Sequence, residues 1–252
     1  MKIAAAMLGV LLAPSIASAA LPQAALDSTG IVLSDDARFP LSLSAPDLAG
    51  TSTTLGQALG GRGGFVLFAD YTCKTLCGPA LALLGAALER NGEMPIAHPI
   101  IVIGLDPKDR PADAERMRDS ELPQPLRAGA AFLLPDSTTL ARAATAGGFR
   151  YVYDKSVDQF AHPEAVYVVA ADGRILRLLS PFALTTADMR SVFTEPAQHS
   201  AIAAALRTIC YRFGILRGPY NEAIATALKI AAGLTMAAMT AGLLLLTRRR
   251  AR

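Results

Sequence analysis

The sequence predicts an α/β sandwich, in which helices cover a mixed central sheet, followed by one C-terminal transmembrane helix. Apolar runs of strand length alternate with helical segments, and a hairpin near the end of the series indicates that the sheet is mixed. A long run with little charge, placed before an arginine-rich end, predicts the transmembrane helix. The 252 residues leave room for one medium-sized domain with appendages at both ends.

Strands are predicted where a continuous apolar run has strand length, because such runs are typical of strands covered on both faces. FVLFA at residues 65–69 and PIIVIGLD at residues 99–106 fit this pattern, and AAFLLP at residues 130–135 is a third candidate. AVYVVAADGRILRLLS at residues 165–180 predicts a hairpin, because two apolar runs flank the turn at Asp172-Gly173.

Helices are predicted where helical composition follows a capping residue or a proline start, or ends at glycine. The predicted helices are TLGQALGGRGG at 54–64, PALALLGAALER at 79–90, PADAERMRDS at 111–120, DSTTLARAATAGG at 136–148, TTADMRSVFTEP at 185–196 and a last helix at 198–210. FPLSLSAPDLAG at 39–50 predicts a short edge hairpin before the first of them.

The N-terminal segment MKIAAAMLGVLLAPSIASAA predicts a signal peptide over residues 1–19. Lys2 precedes a short apolar stretch, and Ala17-Ser18-Ala19 suits a cleavage site. A lead segment at residues 20–38 and the domain at residues 39–197 are expected to follow.

The C-terminal segment predicts a membrane anchor. A juxtamembrane segment at residues 198–222 leads to a predicted transmembrane helix at 223–247, whose only charged residue is Lys229. The basic tail at 248–252 is expected in the cytoplasm under the positive-inside rule. These expectations place the protein in the inner membrane with a single pass, with its main domain in the periplasm and its C-terminus in the cytoplasm.

The charge pattern argues against a nucleic-acid partner. The formal net charge is +3, and the tail alone contributes four arginines, so the rest of the chain is close to neutral. No basic patch with interleaved aromatic residues is present, and the sequence contains no tryptophan.

Cys73 and Cys77 lie four positions apart in FADYTCKTLCGPALALL, where a predicted strand is followed by a predicted helix. The carboxyl ends of strands are where open α/β sheets place their sites, and a helix N-terminus favours thiolate. Thiolates are soft ligands that select Cu(I) or zinc, although two of them leave a coordination sphere incomplete. The residues alone leave open a redox couple, a pair of metal ligands and two inert buried thiols.

The sequence holds three histidines, and His162 in DQFAHPEAVYVV is the candidate third ligand. It directly precedes the predicted hairpin strand; the alternative is a loop histidine exposed to water. His98 is interpreted as a structural or surface residue, and Cys210 as a packed thiol with His199 upstream as a weaker candidate copper contact.

The remaining soft or acidic residues have simpler interpretations. Met94, Met117 and Met189 are scattered and are interpreted as core or surface residues. Asp106 and Asp109 in GLDPKDRP are interpreted as turn-capping residues, with partner contact or tuning of the thiols as the alternative.

Taken in order, these motifs resemble the SCO/SenC family of membrane-tethered, thioredoxin-fold copper chaperones of cytochrome oxidase assembly. The resemblance covers about residues 40–195 and consists of CKTLC after a strand, IVIGLDPKDRPADAE, and GGFRYVYDKSVDQFAHPEAVYVVAADGRILRLLSPF. Cys-x-x-x-Cys alone is a weak signal, whereas its combination with AHP, a strand and DGR at this separation is fairly specific.

The resemblance implies a thioredoxin-like sandwich in which Cys73, Cys77 and His162 bind one copper ion, as Cu(I) or Cu(II). It implies that the segment entering the hairpin strand faces the segment that carries Cys73 and Cys77, called the cysteine loop below. In the family, the residue at the position of Pro163 is a proline whose peptide bond is usually cis. Asp106 would correspond to an aspartate thought to help partner contact. The implied partners are cytochrome c oxidase subunit II or another copper-accepting respiratory protein, and other copper carriers.

The sequence departs from the family pattern in two places. Gly78 lies between Cys77 and Pro79, where the family usually has proline directly after the second cysteine. The predicted anchor is C-terminal, as in a bacterial subgroup, but CYRFGILRGPY lacks the histidine and aspartate that this subgroup often carries before its anchor.

The leading hypothesis is therefore a copper chaperone rather than an enzyme. The rival hypotheses are a thiol–disulfide oxidoreductase that keeps the cysteines of the same target reduced, and a module that senses copper or redox state.

Overall fold

The computed structural model describes residues 21–73, 77–92, 97–156, 158–189, 191–194 and 219–250. The helices are α1 (Gln23–Asp27), α2 (Leu55–Leu59), α3 (Cys77–Arg90), α4 (Pro111–Glu121), α5 (Gln124–Arg127), α6 (Ser137–Ala146), α7 (Pro181–Leu184) and α8 (Pro219–Arg250). The strands are β1 (Gly30–Ile31), β2 (Ser44–Pro46), β3 (Ser52–Thr54), β4 (Gly64–Ala69), β5 (Ile100–Gly104), β6 (Ala130–Leu133), β7 (Phe149–Arg150), β8 (Val152–Asp154), β9 (Gln159–Ala161), β10 (Val166–Val169) and β11 (Ile175–Leu179).

Five strands form the central sheet in the order β11-β10-β4-β5-β6. β4, β5 and β6 are parallel, while β10 pairs antiparallel with both β4 and β11. The predicted mixed sheet is confirmed, including the hairpin that turns at Gly173 with a positive φ of 86°. This topology is that of a mixed α/β sandwich, consistent with a thioredoxin-like fold.

Helices cover both faces of the sheet, which explains why its strands have continuous apolar sequences. Along β4, Val66 and Phe68 contribute to one core, while Phe65, Leu67 and Ala69 contribute to the other. α2 and α6 pack on the first face, and α3, α4 and α7 on the second. Complete burial of one such large apolar side chain stabilises a fold by about 1.5–3 kcal/mol.

Three small sheets surround the central one. β2 and β3 form the predicted edge hairpin, and β1 from the predicted lead segment pairs with β7. Ile31 of β1 is buried in the first core, so part of the lead segment packs on the domain. β8 and β9 form a further hairpin that the sequence did not predict, because its short strands carry no long apolar run.

The prediction of a helix at residues 185–196 is wrong, as far as the structure describes these residues. The helix lies earlier, at α7, where the side chain of Ser180 accepts a hydrogen bond from the Ala183 N–H and Pro181 occupies the first turn. Residues 185–186 and 191–194 form turns. The helix predicted at 198–210 lies outside the described residues, as does the signal peptide.

The prediction of a transmembrane helix, and with it of a single-pass inner-membrane protein, is contradicted. Within the described residues, no helix has both the length and the apolar character that a membrane crossing requires. The prediction relied on the scarcity of charge in residues 223–247. Alanine, threonine and glycine make up most of the described side chains at residues 226–241, and each contributes little apolar area.

Candidate metal centre

The candidate residues lie at one end of the central sheet. The cysteine loop follows the carboxyl end of β4, and His162 precedes β10. Because β10 runs antiparallel to β4, with Tyr167 opposite Val66, the chain before β10 and the chain after β4 lie at the same end. The sheet thus brings together two segments that are far apart in the sequence.

Tyr71 anchors the start of the cysteine loop on the sheet. Its side chain is buried, and its hydroxyl contacts the carbonyl oxygens of Leu133 at 2.8 Å and Val102 at 3.1 Å. Its backbone N–H donates to the Asp109 carboxylate at 2.9 Å. Hydrogen bonds to buried partners fix the direction in which the chain leaves β4, since each lost one would leave a buried polar group unsatisfied.

Asp70 shapes the turn that leads to the first cysteine. Its carboxylate accepts hydrogen bonds from the Thr72 N–H and hydroxyl, both at 2.9 Å, and its carbonyl accepts from the Cys73 N–H at 3.0 Å. Burial raises the pKa of the Asp70 carboxyl, although the bonds from Thr72 act in the opposite direction.

The two cysteines do not share one helical face. Cys73 lies outside the described helices, and its side chain is half-buried, whereas the described part of α3 begins at Cys77. The side chain of Cys77 lies outside the described part of the structure.

Gly78 lies close to the end of the Glu121 side chain. A Cβ atom at Gly78 would lie 2.8 Å from the carboxyl carbon of Glu121 at the end of α4. Any side chain there would have to displace this carboxylate. The departure from the family pattern is therefore accompanied by a close contact between the first turn of α3 and the last residue of α4.

His162 is a buried histidine with only 1% of its surface exposed. Its Nδ1 lies 3.1 Å from the Pro163 carbonyl oxygen and 3.5 Å from Oε1 of Glu164. Burial lowers the pKa of His162, while the Pro163 carbonyl and the nearby Cys73 oppose this shift. The alternative of a water-exposed loop histidine is excluded, and the lowered pKa favours the neutral imidazole, the form that binds metals.

The proline next to this histidine is not cis. Among the described residues no peptide bond is cis, and this includes the bond between His162 and Pro163. The expectation of a cis bond at this place is therefore wrong for this chain.

The structure brings Cys73 and His162 close enough for the charge of Cys73 to influence the pKa of the imidazole. Within the described side chains, no group of three metal-ligating residues comes together. Because the Cys77 side chain is not among them, the three-ligand site stays a prediction. One soft sulfur beside one neutral imidazole is nevertheless a donor set that suits copper.

The other histidine that the structure describes lies at the opposite end of the sheet. His98 precedes β5, stacks on Phe193 with 4.0 Å between ring centroids, and places Nδ1 3.4 Å from the Gly63 carbonyl oxygen. Its interpretation as a structural residue agrees with this packing. His199, Cys210 and Met94 lie outside the described residues.

The methionines and aspartates that the sequence analysis singled out lie in the core or accept hydrogen bonds from backbone N–H groups. Met117 and Met189 are buried in the second core, which is one of the two interpretations that the sequence left open. The Asp106 carboxylate accepts the Lys108 N–H at 2.9 Å and is largely buried, which agrees with turn capping. Asp109, which accepts the Tyr71 N–H, has a pKa raised to about 7, mainly by burial and further by Asp70 and Asp106.

Two features near the site were missed in the sequence. Glu164 is buried beside His162, and only its spacing of two residues in an extended segment could have suggested that both side chains lie on one face.

The second feature is a polar contact of Lys108. Its Nζ lies 2.5 Å from the Asp158 carboxylate and 3.3 Å from the Tyr153 hydroxyl, which itself bonds to Asp158. No sequence pattern indicates this second contact, because it joins two separate loops.

Comparisons with known proteins identify the fold. No protein-family model matches the chain, and no curated protein matches its sequence. A protein of Aquifex aeolicus VF5 named for a proposed role in electron transfer is 18% identical with a TM-score of 0.52, over 64% of this chain and 91% of that one. Copper-bound ScoI of Arabidopsis thaliana is 16% identical with a TM-score of 0.50, over 62% of this chain and 92% of that one.

A third match is copper-bound ScoI of Bradyrhizobium japonicum, at 21% identity and a TM-score of 0.46, over 62% of this chain and 95% of that one. Structural neighbours of this chain, among them ScoI of Arabidopsis thaliana, include proteins of the SCO/SenC family. The resemblance read from the sequence is confirmed at the level of the fold, which is the thioredoxin-like fold of these structures.

Proposed function

We propose that this protein is a copper chaperone that binds one copper ion through Cys73, Cys77 and His162. The observation that carries the proposal is that the antiparallel pairing of β4 and β10 puts the segment with Cys73 and the segment with the buried His162 at the same end of the sheet. Cys77 lies four positions after Cys73 in the sequence, which supports a second thiolate nearby. The binding of copper by ScoI of Arabidopsis thaliana, which has a similar fold, also supports it.

The surroundings of the three residues suggest how a bound ion would be transferred. His162 is fully enclosed, whereas Cys73 is half-buried and Thr72 beside it is exposed. An incoming ligand would therefore approach from the side of Cys73. A site with three ligands leaves room for an added thiolate, so that ligands can be exchanged one at a time.

The acceptor that we propose is a copper-accepting respiratory protein, with subunit II of cytochrome c oxidase as the first candidate. This part of the proposal comes from the SCO/SenC resemblance of the CKTLC, GLDPKD and AHP motifs. Because the thiolates must be deprotonated to bind metal, copper loading should weaken at acid pH and disappear when the two cysteines form a disulfide.

One observation also favours a thiol–disulfide oxidoreductase as the second candidate function. Two cysteines four positions apart, the first of them half-buried after β4, can form and exchange a disulfide. His162 distinguishes the two functions, because disulfide exchange between the two cysteines does not require a third metal ligand.

The test is a measurement of copper bound per reduced chain under anaerobic conditions. The parent protein should bind one Cu(I), while Cys73→Ser, Cys77→Ser and His162→Ala should each lose at least tenfold in affinity, about 1.4 kcal/mol. His98→Phe is the matched control, because it removes a histidine but keeps an aromatic ring against Phe193. A parent protein that retains no copper would refute the chaperone function. Disulfide exchange that survives in His162→Ala would then favour the oxidoreductase.

A further inference from the structure

Three consecutive backbone N–H groups lead from the end of β4 to Cys73, and each of them has an acceptor. The N–H groups of Thr72 and Cys73 donate to the side chain and the carbonyl oxygen of Asp70, so this turn is bonded within itself. The Tyr71 N–H instead donates to Oδ2 of Asp109 at 2.9 Å, which lies 38 positions further along the chain. The turn therefore receives one of these three bonds from another loop.

Asp109 belongs to the loop between β5 and α4, and this loop is tied to the end of the sheet. The Asp109 N–H donates to the Asp106 carbonyl oxygen at 3.0 Å. The Leu105 N–H donates to the Ala69 carbonyl oxygen at 2.9 Å, which joins the end of β5 to the end of β4. The carboxylate of Asp109 is therefore held beside the start of the cysteine loop.

The bonds of the Tyr71 side chain do not replace this contact. The Tyr71 hydroxyl lies against two buried carbonyl oxygens of the sheet, which fixes the ring. The ring is attached at the Cα atom, however, and rotation of the backbone about that atom redirects the following residues without moving the hydroxyl. Because the peptide unit is planar, a bond to the Tyr71 N–H fixes the plane before this residue and restricts that rotation.

We propose that Asp109 is a positioning residue that orients the turn carrying Cys73 through its bond to the Tyr71 N–H. The inference rests on the proposed function for its consequence, the copper affinity, but not for the position of the thiol. The net contribution of one hydrogen bond shifts an equilibrium between two conformations by about two- to tenfold. The loss of the acceptor should therefore change the accessibility of the thiol by a factor in this range.

Two variants of Asp109 in the full chain separate the acceptor from the charge. Asp109→Asn keeps an oxygen that can accept from the Tyr71 N–H, whereas Asp109→Ala removes it, and both variants remove the negative charge. Asp136→Ala is the control, because Asp136 also accepts a backbone N–H, that of Thr139 at 2.7 Å, but does so at the start of α6. The thermal midpoint of each variant checks that it is folded, and the control shows the effect of a lost N–H acceptor elsewhere in the fold.

The first readout is the rate at which iodoacetamide alkylates Cys73. It is measured in a full chain in which serine replaces Cys77 and Cys210, so that Cys73 is the only thiol. At pH 8 the parent carries the charge of Asp109, whose pKa is raised to about 7 by burial. We expect a two- to tenfold higher rate in Asp109→Ala, since the half-buried thiol would be exposed more often, and a change of less than about 1.5-fold in Asp109→Asn and Asp136→Ala.

The second readout is the Cu(I) affinity of chains that keep all three cysteines. It should fall about two- to tenfold in Asp109→Ala and less than about twofold in Asp109→Asn. An unchanged affinity in Asp109→Ala, when the parent binds copper, would overturn the positioning role. A parent that binds no copper, while the alkylation rates follow the expected pattern, would refute the proposed function and leave the positioning role standing.

The alkylation rates decide whether the bond, the charge or general stability acts on the thiol. An unchanged rate in Asp109→Ala would overturn the role of Asp109. An equal increase in Asp109→Asn, or in Asp136→Ala, would overturn it as well, because the charge or the stability of the fold would then account for the effect. If Asp109→Ala does not fold, Asp109→Leu takes its place under the same criteria, since it has methyl groups where the carboxylate has its oxygens.

Discussion

Burial shifts the pKa of three ionisable side chains near the cysteine loop. It raises the pKa of Asp70 and Asp109 and lowers the pKa of His162, so that in each case the charged form is disfavoured. Fewer fixed negative charges beside the cysteines favour two thiolates. Of these groups, the sequence indicated His162 and Asp109 as candidates. It could not indicate the shifts, which depend on how deeply the fold buries each group.

The raised pKa of Asp109 leads to a prediction of how the stability of the fold depends on pH. A carboxyl whose pKa is higher in the folded state than its ordinary value of 3.8 holds its proton better when folded, so folding loses stability as the pH rises from about 4 to about 7. Asp109→Asn should remove this loss while its amide oxygen still accepts from Tyr71. Because Asp109 is only partly buried, we expect a gain of about 1 kcal/mol at pH 8 and none at pH 4.

The measurement for Asp109 is urea denaturation of the parent and the variant at both pH values. Asp136→Asn is the control: its pKa is lowered by the Thr139 N–H at the start of α6, so that variant should not gain stability at pH 8. An equal change at pH 4 and pH 8 in Asp109→Asn would contradict the assigned titration.

At the scale of elements, sequence patterns predicted some strands and helices of this chain but not others. The strands β4, β5 and β10 were predictable, because burial on both faces requires continuous apolar runs such as residues 65–69. The β8–β9 hairpin was not predictable, since tertiary contacts rather than an apolar pattern hold it. The helix predicted at 185–196 was misplaced, because its capping signal competed with that of Ser180.

The β8–β9 hairpin leads directly to His162 and is tied to the loop after β5. Lys108 contacts Asp158, lies 5.1 Å above the ring of Tyr153 and also pairs with Asp106 at 3.4 Å. Asp158 has a φ of 51°, and among the described residues it is the non-glycine residue with positive φ. Asparagine tolerates this conformation, so Asp158→Asn removes the charge without requiring a new turn.

We expect Asp158→Asn and Lys108→Met to loosen this hairpin. The contact is exposed, so its loss should have a small effect, a hydrogen exchange of the amides at residues 152–161 that is about two- to fivefold faster. Asp172→Asn is the control, because it breaks a similarly exposed pair, Asp172–Arg174, in the other hairpin. Unchanged exchange in both test variants would mean that aromatic contacts such as Tyr153–Phe160 hold the hairpin instead.

At the scale of the whole molecule, the mixed sheet creates the site. An antiparallel β10 beside β4 places the entry of one strand at the exit of the other, and the cysteine loop and His162 meet there. This meeting was expected from the resemblance of the sequence to thioredoxin-like proteins. The predicted membrane helix is not found among the described residues, because scarcity of charge is not the same as apolar character.

The central claim is that two sulfur atoms and one nitrogen atom hold copper in this protein. X-ray absorption spectroscopy of the reduced full chain loaded with one equivalent of Cu(I) tests it most directly. The account predicts a three-coordinate ion with two sulfur ligands and one imidazole nitrogen, and loss of the nitrogen signal in His162→Ala but not in His98→Phe. A first shell without sulfur, or a shell unaffected by His162→Ala, would contradict it.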